Sequence, residues 1–476
     1  MNTPHKARAL PLALLAAGLT AMSLLATPAA HATPIDTGRT GTINIYKYQT
    51  PATGTAGDGT PQTPATAPIP GVTFTVTPVT IPGLTVADNQ WWVVAENIAN
   101  RTDTTTGVLG SPSAPVVTNT AGLAQFANLP LGLYLVTETA APAGVSISPP
   151  FYLTVPLTDP ANLDNWLYDV YAYPKDSVTT LAKTVTDTTA VKAGDTVTWT
   201  VTATVPKETT LTQYQLVDPI DPRLTFTGAT VALNGAPLTV ATDYTVTGTT
   251  TVTINLATAG LAKLAALAAD TGSDTVVFTL NTTVNTAGPF GQIGNQATLN
   301  WDNGAGPVTV PSNTSLTEWG DIVVTKTNSV TNAPVAGATF VLYTTQADAK
   351  AGANPVMTAV DNGDGTYLFP GVRANDWQDG AALDPPGSYW VAETKAPNGY
   401  QLLPAPFAVQ LLDVTDAGYT ANVAVKEAPT NPFVLAITGG YGATWTALIY
   451  TAAALLLAGA VAVVFFRRRR EAQAGS

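Results

Sequence analysis

From Thr196 to Val205 the sequence reads TVTWTVTATV, a strict alternation of polar and apolar side chains. A period of two sends every second residue to one face, so this run can bury a face only as a β-strand. Short runs of the same kind, rich in Thr, Val and Ala and broken by Gly and Pro, recur along the chain, which is the pattern of antiparallel sandwiches. The exception is LATAGLAKLAALAAD from Leu256, whose Ala and Leu content predicts a short helix. The stretch from Thr50 to Pro70, rich in Thr, Pro, Ala and Gly, reads as a loop.

Several of these runs carry a lysine where the period demands an apolar residue. In GTINIYKYQT, Ile43, Ile45 and Lys47 share a face; Leu181, Lys183 and Val185 do so later, and Ile322, Val324 and Lys326 later again. Acids occupy equivalent positions in other runs: Tyr134, Val136 and Glu138; Tyr214, Leu216 and Asp218; Tyr389, Val391 and Glu393. The first and third lysine sets are each followed, late in their part of the chain, by the pattern Y-x-V-x-E-T-x-A-P, which holds the first and third acid sets, so two parts of the chain read as copies of one module around a different middle one.

The chain has no cysteine, and its two histidines, His5 and His31, fall at the extreme N-terminus. That excludes Cys/His and Ser/His/Asp catalysis from the remainder, along with zinc sites built on thiolate or imidazole. Net charge is −12, with no basic stripe and no glycine-rich phosphate loop, so no nucleic-acid partner is expected. No cofactor and no metal site is expected either; none of the Asp-rich loops has the ligand spacing of an EF-hand.

The two ends have their own logic. His5, Lys6 and Arg8 precede an apolar run from Ala9 to Leu25, and Ala30-His31-Ala32 is a small-x-small cleavage pattern, so residues 1–32 read as a secretory signal. Trp445 to Phe466 is almost wholly apolar and long enough to cross a bilayer of roughly 30 Å as a helix. Arg467 to Arg470 mark its cytoplasmic end, placing everything between signal and helix outside the membrane.

A lysine and an acid on apolar faces admit two readings. One is a buried salt bridge, or a lysine stem lying along apolar surface with its amine at the edge. The other is chemical. Desolvation lowers an amine pKa and raises a carboxyl pKa, so a buried pair can rest as neutral nucleophile and neutral acid. Beside an Asn or Asp side-chain carbonyl, such a pair can form an amide as ammonia or water leaves. That bond would stiffen a chain that has no thiols.

These residues make the whole sequence similar to the sortase-assembled shaft (backbone) pilins of Gram-positive bacteria. The family's E box resembles YLVTETAAP around Glu138 and YWVAETKAPNGY around Glu393. Its pilin motif WxxxVxVYPK resembles WLYDVYAYPK, Trp166 to Lys175, with Ala172 in place of a valine. By itself Lys175 reads as a solvated surface amine; the resemblance makes it the sortase acceptor, which must stay exposed. Leu435-Ala436-Ile437-Thr438-Gly439 resembles the sorting signal, with Ala436 where proline is usual, and implies cleavage between Thr438 and Gly439.

The resemblance implies an all-β chain: three tandem immunoglobulin-like sandwiches of the collagen-adhesin A and B types, plus one C-terminal transmembrane helix. The expected parts are a signal (1–32), a B-type sandwich ending in the pilin motif (33–175), an A-type sandwich (176–319), a second B-type sandwich (320–432) and a sorting segment (433–476). It implies Lys-to-Asn bonds assisted by Glu138, Asp218 or Glu393. IGNQA matches the family's I-x-N-x-A, pairing Lys183 with Asn295. Asp176 stands where relatives have Asn, pairing with Lys47. In VKEAP, Glu427 stands where Asn is expected, so a bond to Lys326 requires that the nearby Asn431 take the role through a shifted register.

The function implied is that of a structural shaft subunit, anchored to the cell wall as a pilus, and not an enzyme on external substrates. Its partners are then a pilin-specific sortase, identical subunits joined head to tail, minor pilins and peptidoglycan. A second reading is a wall-anchored adhesin or pilus-base subunit that binds a host or bacterial surface ligand; such a protein need not carry Lys175 in a pilin motif. A secreted hydrolase with paired carboxylates is a third, but no second carboxylate accompanies the in-facing acids in sequence.

Overall fold

The computed structural model describes residues 34–50, 57–270, 272–415 and 419–430. The sorting motif Leu435–Gly439, the apolar run with its arginines, the N-terminal signal and Asn431 lie outside the described residues. The described chain is a multi-domain, all-β structure of paired sheets.

In the first part, the strand Gly41–Tyr46 lies between Leu123–Leu129, antiparallel, and Asp169–Ala172, parallel. A second sheet packs on it, with Thr73–Thr80 and Gly132–Ala140 at its centre. Ile43, Ile45, Phe74, Val76, Val136 and Val170 fill the space between them. In the middle part, Thr196–Thr204 is an inner strand of one five-stranded sheet, beside its central strand Thr275–Val284, and Gln213–Pro219 is central to the other. The alternation that singled out the first of these is met by full burial of Val197, Trp199, Val201 and Ala203. In the third part, Ile322, Val324, Phe340, Tyr367, Phe369 and Val391 make the core.

One strand, Ser315–Asn328, runs from the second core into the third. Its start pairs with Gln292–Asn295, while its later residues pair with Thr366–Arg373 and, in parallel, with Thr420–Glu427. Arg373 stiffens this junction from the third side, donating to the carbonyls of Ala190 and Trp377 at 2.9 Å each.

The helix expected near Leu256 is present as Thr258–Ala265. Another, Asn89–Ala99, escapes an analysis of alternation, although its buried residues Trp91, Ala95 and Ile98 have helical spacing. Its Trp92 stacks on Trp166 with ring centroids 5.2 Å apart, tying the helix to the start of the WLYDVYAYPK stretch.

Candidate functional site: three buried lysine clusters and a half-buried lysine

Lys47, Lys183 and Lys326 are each at most 1% exposed, among the largest fully buried side chains of the described structure. Each amine lies against an aromatic ring: Phe74 at 5.8 Å, Trp199 at 5.5 Å and Phe340 at 5.5 Å from the ring centroids. Such burial of an ammonium is costly unless an acid faces it, and in all three places at least one does.

Lys47 follows directly on its strand. Its N–H donates to the carbonyl of Gly122 at 2.9 Å, and its own carbonyl accepts from Ile69 at 2.9 Å. Lys326 repeats this arrangement with Gly365 at 2.8 Å and Val335 at 3.0 Å. Both glycines have positive φ, +77° and +87°, and a Cβ on Gly122 would come within 2.5 Å of the Lys47 carbonyl oxygen. Phe74 and Phe340 also correspond, each opposite the E-box acid of its module, Glu138 or Glu393, and each beside a register shift. The shared signature is visible as GVTF from Gly71 and GATF from Gly337, a repeat that does not include the lysines.

The first cluster joins Lys47, Glu138 and Asp176. The amine donates to Glu138 Oε2 at 2.8 Å and is 2.5 Å from Asp176 Oδ1. Ser148, which no motif pointed to, contacts the amine, donates from Oγ to Asp176 Oδ1 at 2.7 Å, and donates its N–H to Glu138 Oε2 at 3.2 Å. Burial pushes the Glu138 carboxyl up to about 7; Lys47 opposes the rise and the Asp176 charge adds to it. Near neutral pH this acid can therefore both hold and release a proton.

The second cluster brings Lys183 within 2.5 Å of Asp218 Oδ2. Burial depresses the Lys183 amine to about 8 against the pull of Asp218, and burial raises the Asp218 carboxyl. Asn295 is 1% exposed and its amide lies close enough to favour the ionised form of Asp218. Yet neither its Oδ1 nor its Nδ2 makes a hydrogen bond of normal geometry among the described residues. A buried amide without such partners, next to the acid that meets the Lys183 amine, is unusual, since buried polar groups are nearly always paired.

The third cluster holds Lys326 between two acids. Glu393 Oε1 accepts from the amine at 2.7 Å, and Glu393 Oε2 accepts from the N–H of Leu403 at 2.9 Å. The other acid is Glu427, whose Oε2 contacts the same amine. The residue assigned as Lys326's partner from sequence, Asn431, lies outside the described residues, and the position at the amine is taken by Glu427.

Lys175 differs from these three. It is half-buried, short of the full exposure expected of a surface acceptor, because Lys175–Asp176 forms a two-residue parallel strand with Tyr48–Gln49. Its amine lies 5.7 Å from the centroid of Tyr48, beside a stack in which Tyr46 and Tyr173 are 5.7 Å apart. Burial, with a further contribution from the Lys47 charge, holds the Lys175 amine below the usual lysine value. Asp176, its neighbour, turns inward to the first cluster.

Comparison with known proteins gives a consistent picture. Residues 38–177 match the family described as Gram-positive pilin subunit D1, N-terminal domain; residues 179–318 match the Sgo0707 N2 domain; residues 320–428 match a prealbumin-like fold domain. The chain is 30% identical to fimbrial subunit type 1 of Actinomyces viscosus over 90% of its own length and 93% of that protein. It is 28% identical to fimbrial subunit type 2 of Actinomyces naeslundii, covering 81% of each chain. Among solved structures, the full-length major pilin SpaD of Corynebacterium diphtheriae superposes with a TM-score of 0.68 at 25% identity, over 83% of this chain and 99% of that one.

Proposed function

The chain belongs to the fimbrial subunits of Gram-positive bacteria and is a structural subunit of a cell-surface pilus, and from that premise we propose how it polymerises and what hardens it. A pilin sortase cuts between Thr438 and Gly439, carries the threonine carbonyl as a thioester, and passes it to the Lys175 amine of the next subunit. The segment after Gly439, with its apolar run and four arginines, holds the chain in the membrane until that cut, and a terminal subunit is joined to peptidoglycan.

The observation that carries the acceptor role is the setting of Lys175: half-buried, on a short strand pair, with an amine more easily deprotonated than an ordinary lysine. A neutral amine is the species that attacks a thioester. Within each subunit, Lys183 condenses with Asn295, losing ammonia, with Asp218 as the proton carrier. Lys47 condenses with Asp176, losing water, with Glu138 in that role. Both bonds form without an external enzyme, because each water-excluded site encloses the amine, the electrophile and an acid that can carry the proton between them. Lys175 and Asp176 then divide the work between neighbouring positions, one outward and one inward.

The test is Lys175→Arg, which keeps the charge and removes the nucleophile. Wall extracts of the wild type are expected to give a ladder of covalent multimers on denaturing gels, and peptide mapping of the fibres to find Lys175 joined to Thr438. The variant loses the ladder; a ladder that persists overturns the acceptor assignment.

A further inference from the structure

The third cluster presents an unassigned pair. Glu427 ends the strand Thr420–Glu427, is 4% exposed, and has its carboxylate against the Lys326 amine. Beyond that amine and the neighbouring Glu393 carboxyl, its two oxygens have no hydrogen-bond partner among the described residues. Register makes the placement systematic. Lys326 pairs in parallel with Val425, which puts Glu427 two residues further on. In the first part Lys175 pairs with Tyr48, so Lys47 is level with Pro174 and Asp176 is likewise two residues further on. After Glu427 the chain turns to other partners: Pro429 bridges to Tyr400, and the N–H of Thr430 donates to Gly399 at 2.7 Å.

We propose that Lys326 and Glu427 form a covalent amide, the lysine Nζ bonded to the glutamate Cδ, with Glu393 carrying the proton. The proposal rests on the reading that such buried clusters condense, and extends it to a glutamate as the electrophile. One ammonium and two carboxylates are enclosed. Moving the ammonium proton to Glu427 produces a neutral amine facing a neutral acid, and burial together with the adjacent Glu393 charge favours the protonated form of Glu427. The amine attacks Cδ, Glu393 takes a proton from the attacking nitrogen and returns it to the departing hydroxyl, and one water leaves. The Nζ–Cδ bond forms, the Cδ–O bond breaks, and no oxidant or cofactor is required. In open water the two ions would not condense. Held in contact, they have an effective molarity of about 10⁵ to 10⁸ M for a well-oriented pair, and the water formed escapes to bulk.

The experiment compares intact masses of the full chain, produced without a sortase, for the wild type and Glu427→Gln. A glutamine condenses with loss of ammonia and a glutamate with loss of water, so the two cross-linked products are the same molecule. The wild type and Glu427→Gln are therefore expected to have equal masses, and fragmentation of digests should find Lys326 joined to residue 427. Adding Glu393→Gln to both chains restores the mass difference between glutamate and glutamine. The proposal is overturned if the two chains without Glu393→Gln already differ by that amount, or if fragmentation joins Lys326 to Asn431. The same digest reports the Lys183–Asn295 cross-link: its presence beside a linear Lys326 peptide refutes the glutamate bond alone, while absence of both refutes the broader reading.

Discussion

Replacing Asn295 by alanine isolates what the covalent bond proposed for the middle domain would contribute. The substitution removes the electrophile and leaves the Lys183–Asp218 contact at 2.5 Å in place, so no buried charge loses its partner. Because the polar atoms of Asn295 have no well-formed hydrogen bond among the described residues, their loss itself costs only about 1 kcal/mol. The proposed cross-link would span a loop of about 110 residues, for which chain-entropy reasoning gives a stabilisation of about 5 kcal/mol through the unfolded state. For a domain of this size that corresponds to a fall in Tm of about 15 °C.

A second signature follows from the freed amine of this variant. Burial holds Lys183 at about 8 in the folded state against an ordinary 10.5. Between those values the unfolded chain binds more protons than the folded one. The stability contributed by the neutral amine is thus complete above the ordinary value and is lost as pH falls through about 8. Scanning calorimetry of Asn295→Ala should show the middle domain's Tm rising from pH 8 towards 10.5, a slope that an amide at Lys183 cannot produce. Intact mass supplies the control: the wild type should lie one ammonia below its sequence mass at this site, and the variant should not. A wild type with no ammonia lost here, or a Tm fall of less than about 5 °C, refutes the reasoning.

Two further outcomes are expected. Glu138→Ala removes the carboxyl proposed to carry the proton in the first cluster; its chain should retain the water that the wild type loses between Lys47 and Asp176, and the first domain should become sensitive to protease, whereas a wild type that has lost no water there and a variant of unchanged resistance would leave Lys47 as a simple buried ion. Amine labelling of the chain as a function of pH should show Lys175 reacting at lower pH than an unperturbed lysine, in keeping with its burial and the nearby Lys47, and a profile no lower than that of an exposed lysine would remove the support its setting gives to the acceptor role.

Much of this was legible in the sequence because a strand's period of two is a local property. Placing Lys47, Lys183 and Lys326 among apolar neighbours requires only counting, and the same count places Glu138, Asp218 and Glu393. The helix Asn89–Ala99 was missed for the complementary reason: its signal has a different period and lies inside a β-rich chain. Phe74 and Phe340 were also written in the sequence, as repeated GVTF and GATF, but nothing local says that a ring will lie against a lysine amine. Ser148 had no signal at all, since its role depends on a loop returning beside Asp176.

The sequence by itself determined which side chains face inward, that an uncharged or paired lysine must be accommodated three times, and that no thiol is available to stiffen the result. Only the tertiary structure decided which acid meets which amine. Lys47 and Asp176, or Lys326 and Glu427, are about a hundred or more residues apart, and their meeting depends on the parallel register of strands at opposite ends of a domain, a non-local quantity that no periodicity encodes. The same register decided that Lys175 is half-buried beside Tyr48 while Asp176, one residue on, points the other way into the core.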